Sequence, residues 1–262
     1  MRLFFATEFL FAIASCNTAD KTESVSMPGT YKLLSQNFKS HKTDTTYTSS
    51  QQLKIYTAYY MMYARFSPAD SLSSFGIATY STTKDTVTEN VFYNANDSIK
   101  DETPASYKLV ITKTAKGFNL LIPEINMQGQ KFSLTENYET VGVATTSPLD
   151  GAWKLTKSYG LIGKDSFPDT KTQFKIYSSG YFIFGQTYAD SSKKIHTGMG
   201  YGKFVMTGTN KSKEPVLVSS FYQVRGQVVD IDIEMKGTDE YMQTFNSVDG
   251  YKSVEFYQRM KK

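Results

Sequence analysis

The feature that most narrows what this chain can fold into is that it repeats itself. Gly29, Thr30, Tyr31, Lys32 and Leu33 recur as Gly151, Ala152, Trp153, Lys154 and Leu155, and Gln52, Leu53, Lys54, Ile55 and Tyr56 recur as Gln173, Phe174, Lys175, Ile176 and Tyr177. Toward the end of each half, Glu136, Asn137 and Tyr138 correspond to Glu255, Phe256 and Tyr257. The spacing barely drifts between matches, so the chain divides into residues 27–142 and 149–262, joined by a Thr, Ser and Pro linker at 144–148. Each half has an ordinary domain size and can bury its own core.

The second half shows its strands most clearly. Segments 152–157, 173–177, 181–186, 198–206, 216–224, 229–235, 239–245 and 253–260 read as about eight short strands, with turns at Ser178, Ser179 and Gly180, at 209–214, at Gly226 and at Lys236 and Gly237. Val229, Ile231, Ile233 and Met235 alternate with Asp230, Asp232 and Glu234, the period of a strand with one wet face. The first half segments in the same way, with its clearest strands at 53–56, 60–66, 76–81, 86–93, 107–113, 118–122 and 131–138. Aromatic residues make up 15% of the chain, with 19 Tyr and 18 Phe among many Thr and Ser, a mixture suited to half-buried pleated surfaces. The expected fold class is all-β: two tandem antiparallel barrels or sandwiches. A net charge of +4, with lysines scattered and not clustered, argues against a nucleic-acid groove or a polybasic membrane patch. A mean hydropathy of −0.39 excludes a bundle of membrane helices.

The first residues read differently. Arg2 precedes a mostly apolar run, Leu3 to Ile13, which is too short to span about 30 Å of hydrocarbon, for which roughly 20 helical residues are needed. Residues 1–15 are therefore expected to be a cleaved export signal. Ile13, Ala14, Ser15 and Cys16 resemble the lipobox of bacterial lipoproteins, which implies acylation of Cys16, the only cysteine. Several acyl chains, at about 0.8 kcal/mol per buried CH₂, give the stable anchoring that one chain does not. A plain signal with an incidental cysteine is the competing reading. Residues 16–26 are expected to be the lipidated N-terminus and a flexible tether. With one cysteine there is no disulfide, so both domains stand on their cores.

The glycine, any residue, aromatic start of each half, together with Glu255, Tyr257 and Arg259 at the end of the second, resembles lipocalin-type barrels. The halves are similar to the lipocalin-like domains of secreted and lipid-anchored Bacteroidetes proteins. The resemblance implies that Trp153 plugs one end of its barrel with Arg259 lying across it, a structural cation–π closure. The first half departs from the pattern, with Tyr31 in place of the Trp and no Arg near Thr140, which implies a differently closed floor. Thr88, Glu89 and Tyr93 fit the acidic strand segment of that family, where the second half presents Ser219 and Ser220. The resemblance also places the protein at the outer membrane, held by acylated Cys16 on an unspecified face. Asp44, Asp70, Asp85 and Asp97, each followed by Thr or Ser, resemble an envelope O-glycosylation motif.

Little in the sequence carries chemistry. His41 and His196 sit in unlike contexts and read as loop or surface residues. Asp230, Asp232 and Glu234 would lie about 7 Å apart along one strand face, too wide for neighbouring pairs to hold a small cation. Gly198, Gly200 and Gly202 alternate within a strand, permitting close packing or barrel bending. Glu89 and Glu136 are an acid pair in principle, but nothing in the sequence brings them together. No catalytic residue, metal site or cofactor is therefore expected.

The aromatics carry more. Tyr56, Tyr59, Tyr60, Tyr63 and Phe66, and Tyr177, Tyr181, Phe182 and Phe184, place rings on both faces of a hairpin in each half, and one face must be interior. Two readings stay open: the rings fill the barrels as core, or they line a cavity in which hydroxyls orient a ligand and rings bury its apolar body. On the second, Tyr56, Tyr60, Tyr63, Tyr177, Tyr181 and Phe184 are the candidate ligand-binding residues. The leading expectation is a lipid-anchored envelope protein that binds a small, partly apolar ligand without catalysis. The alternative is a structural or interaction lipoprotein whose solid barrels engage an envelope protein.

Overall fold

A computed structural model describes residues 24–96, 100–101, 105–127, 129–247 and 250–262. The signal at 1–15, Cys16 and the motif at Asp97 and Ser98 lie outside the described residues. The first half contains β1 (Gly29–Lys39), β2 (Asp44–Tyr47), β3 (Gln51–Tyr56), β4 (Tyr60–Ser67), β5 (Leu72–Thr83), β6 (Thr86–Asn96), β7 (Lys100–Asp101), β8 (Ala105–Lys113), β9 (Gly117–Met127) and β10 (Gln130–Val141). The second contains β11 (Gly151–Ile162), β12 (Asp165–Pro168), β13 (Lys171–Ser178), β14 (Tyr181–Ala189), β15 (Ile195–Lys203), β16 (Val205–Gly208), β17 (Lys211–Ser219), β18 (Val228–Lys236), β19 (Glu240–Asn246) and β20 (Lys252–Arg259). The only helical element among the described residues is one 3₁₀ turn, Tyr222–Val224.

In each half eight strands run up and down with chain neighbours paired, and the sheet closes on itself through β1–β10 and through β11–β20. The short β2, β7, β12 and β16 are appended outside this circuit. Closure removes every free barrel edge. The two closing ladders carry a bulge at equivalent places, between Leu33 and Ser35 and between Leu155 and Lys157. Such an extra residue bends the strand, as a sheet must bend to close.

The floors are built alike with different residues. Trp153 is fully buried and donates its indole N–H to the carbonyl of Leu149 at 2.7 Å, while the Arg259 guanidinium lies 4.0 Å from its ring centre. Arg259 also donates to the carbonyls of Pro148, Asp150 and Thr238, tying the linker to the last strand. In the first barrel, the Tyr31 hydroxyl donates to the carbonyl of Met27 at 3.0 Å, and its ring meets Phe118 edge-on. Met27 and Leu149 are buried plugs at matching positions. Val25 is also buried and bonds the carbonyl of Lys84, so the expected tether is anchored to the barrel from that residue on.

The two barrels dock back to back. Leu53, Ile55, Met62, Phe75 and Ile77 on the outer faces of β3, β4 and β5 form one buried cluster with Phe174, Ile176, Ile183 and Met199 on β13, β14 and β15. Equivalent strands oppose one another, β3 with β13, β4 with β14 and β5 with β15, so the contact is isologous in the manner of a twofold dimer. Phe75 sits over Gly185, where any Cβ would overlap its ring.

Candidate functional site

Strands β3 and β13 are buried on both faces, and alternation sorts their residues. Leu53, Ile55, Phe174 and Ile176 face the other barrel, which turns Gln52, Lys54 and Tyr56, and Gln173, Lys175 and Tyr177, into the barrel interiors. The repeated sequence is thus a repeated inward row of amide, ammonium and phenol. Buried charge requires a partner, and each row meets one.

In the first barrel, Lys54 pairs with Glu89 at 3.3 Å, and the Tyr56 hydroxyl donates to the same carboxylate. Glu136 accepts from Gln36 and from Tyr138, both at 2.7 Å. Glu89 and Glu136, which the sequence left apart, belong to one cluster. In the second barrel, Lys175 bonds both oxygens of Glu214, at 3.2 and 3.3 Å, and Oε1 of Gln243 at 3.2 Å; Tyr177 donates to Glu214 at 2.8 Å. Glu255 accepts from Lys171 at 2.7 Å, from Tyr257 at 2.6 Å and from Gln243. Asp169 completes the set on Lys171 at 2.7 Å.

These environments move the titrating groups. Burial, reinforced by Glu89, raises Tyr56 well above the ordinary phenol range, and burial does the same to Tyr138, Tyr177 and Tyr257 beside their carboxylates. The phenols stay protonated and donate. Burial alone would raise Glu255, but the Lys171 ammonium and the Tyr257 hydroxyl hold it below its usual value. Burial would likewise lower Lys171, yet Glu255 and Asp169 carry it above the lysine range.

The second barrel holds a cavity of about 570 Å³ that opens to the surface. Its polar wall comes from β13, β19 and β20: Lys171, Gln173, Lys175, Gln243, Ser253 and Glu255. Its apolar wall comes from β14, β17, β18 and the loop after β17: Phe182, Phe184, Val216, Phe221, Val229 and Ile231; the two adjoin at β13 and β14, where Lys175 pairs with Phe184 across the ladder and lies 5.4 Å over the Phe182 ring. Three rings of the apolar wall are nearly parallel, Phe182 to Phe184 at 11° and Phe184 to Phe221 at 14°. The alternating glycines of β15 make room for them. A Cβ on Gly200 would come within 2.5 Å of the Phe184 ring, and one on Gly198 would overlap Phe221. The 3₁₀ turn at the mouth is pinned by Arg225, which donates to the carbonyl of Ser219 and stacks 4.4 Å over Phe66 of the first barrel.

The structure separates the six ring residues singled out from the sequence. Phe184 lines the cavity. Tyr56 and Tyr63 point into the first barrel and Tyr177 into the second, at the buried clusters. Tyr60 and Tyr181 face the contact between barrels and lie outside both interiors, because each is offset by an odd number of residues from its inward neighbours. Trp153 and Arg259 meet at the floor of the second barrel as described above.

Two corrections concern β17. The polar stretch 209–214 was expected to be a turn, but the strand begins at Lys211 and points Glu214 inward. The counterpart of Glu89 is therefore Glu214, and neither Ser219 nor Ser220, whose hydroxyls bond the backbone of Met199. The available signal was Lys175 itself: an inward lysine matching Lys54 demands an acid matching Glu89. Asp230 and Asp232 project outward and pair with Lys213 and Lys211. His41 is exposed, and His196, at the start of β15, bonds Asp190 of the preceding surface turn at 2.7 Å.

The fold and its interiors define a tandem pair of closed eight-stranded antiparallel barrels, consistent with a lipocalin-like build, each with a buried ion-pair cluster. No family model and no curated protein matches the sequence. The matching solved structures include a protein of unknown function from the DUF3598 family of Nostoc punctiforme, at 8% identity and a TM-score of 0.26, with 89% of this chain and 96% of that one covered. A likeness so slight carries no argument about function.

Proposed function

We propose that this is a non-catalytic binding protein that holds a small, partly apolar ligand inside the second barrel and is anchored to the outer membrane through acylated Cys16. The observation that carries the reading is the cavity of about 570 Å³, which falls in the range of small-molecule sites, with aromatic and aliphatic side chains beside a convergent set of polar groups. Catalysis is left out because the acids are already engaged: Lys175 and Tyr177 on Glu214, and Lys171, Tyr257 and Gln243 on Glu255. The anchor rests on the lipobox-like Ile13 to Cys16.

The test is native mass spectrometry of the mature protein with Val229→Trp, which fills the cavity from a half-buried wall position. The wild type is expected to carry a stoichiometric small molecule and the variant to lose it. A wild type that carries none, and whose melting no compound of a broad library shifts, overturns the reading. The intact mass of membrane-extracted protein tests the anchor; an unacylated Cys16 ends it.

A further inference from the structure

We infer that the occupant of the second barrel is a neutral, hydroxyl-rich ring compound, a mono- or oligosaccharide, held with its C–H face on the aromatic rings and its hydroxyl edge toward the polar groups beside them. This deepens the binding reading above and rests on it.

The first argument is the mixed lining of the cavity. Lys175 and Gln173 of β13 stand beside Phe184 and Gln186 of β14, and the Lys175 ammonium lies 5.4 Å over the Phe182 ring, so ion pairs and ring faces adjoin along one stretch of the lining. A flexible acyl chain would lay methylenes across both and strip water from the ion pairs without replacing its hydrogen bonds. A sugar ring matches such a lining. Its axial C–H face packs on flat aromatic rings, and its equatorial hydroxyls point sideways, toward neighbouring polar groups, as donors and acceptors together.

Charge makes the second argument. The two ammonium groups of the cavity, Lys171 and Lys175, are matched by the carboxylates of Glu255 and Glu214. An anionic or cationic head brought beside this balanced set would arrive desolvated with no free countercharge, a cost of several kcal/mol per ion in protein interiors. A hydroxyl brings no net charge and can bond either member of a pair.

The third concerns unused capacity. Half-buried Gln186 lines the cavity, Gln223 and Gln227 stand exposed at its rim, and no described residue bonds the side-chain amide of Gln186. Each offers one carbonyl acceptor and two N–H donors. The first barrel lacks this set. Opposite Gln52, where Gln186 stands opposite Gln173, it has Arg65. Opposite Glu136, where Gln243 stands opposite Glu255, it has Leu120. At these two positions the second interior carries an amide where the first carries Arg or Leu, while the first has buried Gln36 where the second has Ser158.

The test applies the mature chain to an array of neutral, acidic and amino sugars, followed by calorimetry with the best glycan and, in parallel, with decanoate and decyltrimethylammonium. Retention of neutral glycans above acidic ones, with affinity falling at least tenfold in Phe184→Ala and again in Gln186→Leu, is the expected result. Both variants must keep the wild-type emission of buried Trp153. Binding of decanoate or the alkylammonium in a Val229→Trp-sensitive manner, with no glycan retained, overturns the saccharide assignment and leaves the cavity reading standing. No binding of any probe overturns both. Glycan binding unaffected by Phe184→Ala, Gln186→Leu and Val229→Trp places the sugar elsewhere and overturns this inference alone.

Discussion

Replacing Glu214 with Gln should cost far more stability than removing any charge from the outside of the same strand. Lys175 and Glu214 are 3% and 6% exposed, and Glu214 is the carboxylate paired with that ammonium. With the acid gone, the ammonium keeps the Gln243 amide oxygen in contact and only the more distant Glu255 carboxylate as countercharge. Breaking a buried pair from one side typically costs about 3–5 kcal/mol, which multiplies the unfolded population by a factor of roughly a hundred to several thousand. At a slope of about 2 kcal/mol per molar urea, the midpoint falls by about 1.5–2.5 M. Trp153, the only tryptophan, is fully buried in this barrel and reports its unfolding by fluorescence. The outward pair Lys213–Asp230 on the adjoining ladder is 49% and 75% exposed, so Asp230→Asn should shift the midpoint by less than the equivalent of about 0.5 kcal/mol. Adding Lys175→Met to Glu214→Gln should recover all but about 1 kcal/mol, since it removes the stranded charge. A single variant that loses no more than about 1 kcal/mol, or a double variant no better than the single, would refute the claim that the pair is truly desolvated.

The pH dependence follows from Glu255 and Lys171. Glu255 lies below its usual range, so its contribution is full above the unfolded value near pH 4.3 and disappears as pH falls through the lower folded value. Lys171 lies above the lysine range, so its contribution is full below about pH 10.4 and is lost only as pH rises through the higher folded value. Urea midpoints read from Trp153 should therefore be flat from about pH 5 to 9 and fall below about pH 4, and Glu255→Gln should lower the plateau and flatten the acid limb; an unchanged limb would dismiss the assignment. Arg259→Lys should cost about 2 kcal/mol, because an ammonium cannot lie flat on Trp153 while serving the carbonyls of Pro148, Asp150 and Thr238; unaltered Trp153 emission and midpoint would count against the floor closure. Gly185→Ala forces a Cβ into the Phe75 ring and should cost about 1–3 kcal/mol at the contact between barrels, read as faster proteolysis of linker 144–148; a cleavage rate equal to wild type would show that the docking is soft there.

The repeat made the two-barrel organisation legible, because matching segments at nearly constant spacing admit few other folds. It also contained the buried cluster, in Gln52, Lys54 and Tyr56 and their copies, but which face of those strands points inward was hidden. Alternation identifies a buried face only when the other face is wet, and β3 and β13 have no wet face. For the same reason Tyr60 and Tyr63, three residues apart on β4 and so on opposite faces, could not be assigned to the outside and the inside. Glu214 was hidden differently. Asn210, Lys211, Ser212, Lys213 and Glu214 have turn composition, and only the demand of Lys175 for an acid reveals a strand there.

The direction of those faces explains why the barrels are joined at all. An isolated barrel with Gln52, Lys54 and Glu89 inside and Leu53, Ile55, Met62 and Ile77 outside on one flank would expose apolar surface to water while burying charge, the reverse of what favours folding. Docking the equivalent flanks moves part of the apolar core from within each barrel to between them. At roughly 25 cal/mol per Å² of apolar surface removed from water, that contact stabilises both halves. It also leaves the interior of the second barrel free to be polar and partly open. Weakening the contact at Gly185 should therefore lower the stability of the cavity-bearing barrel even though no cavity residue is replaced.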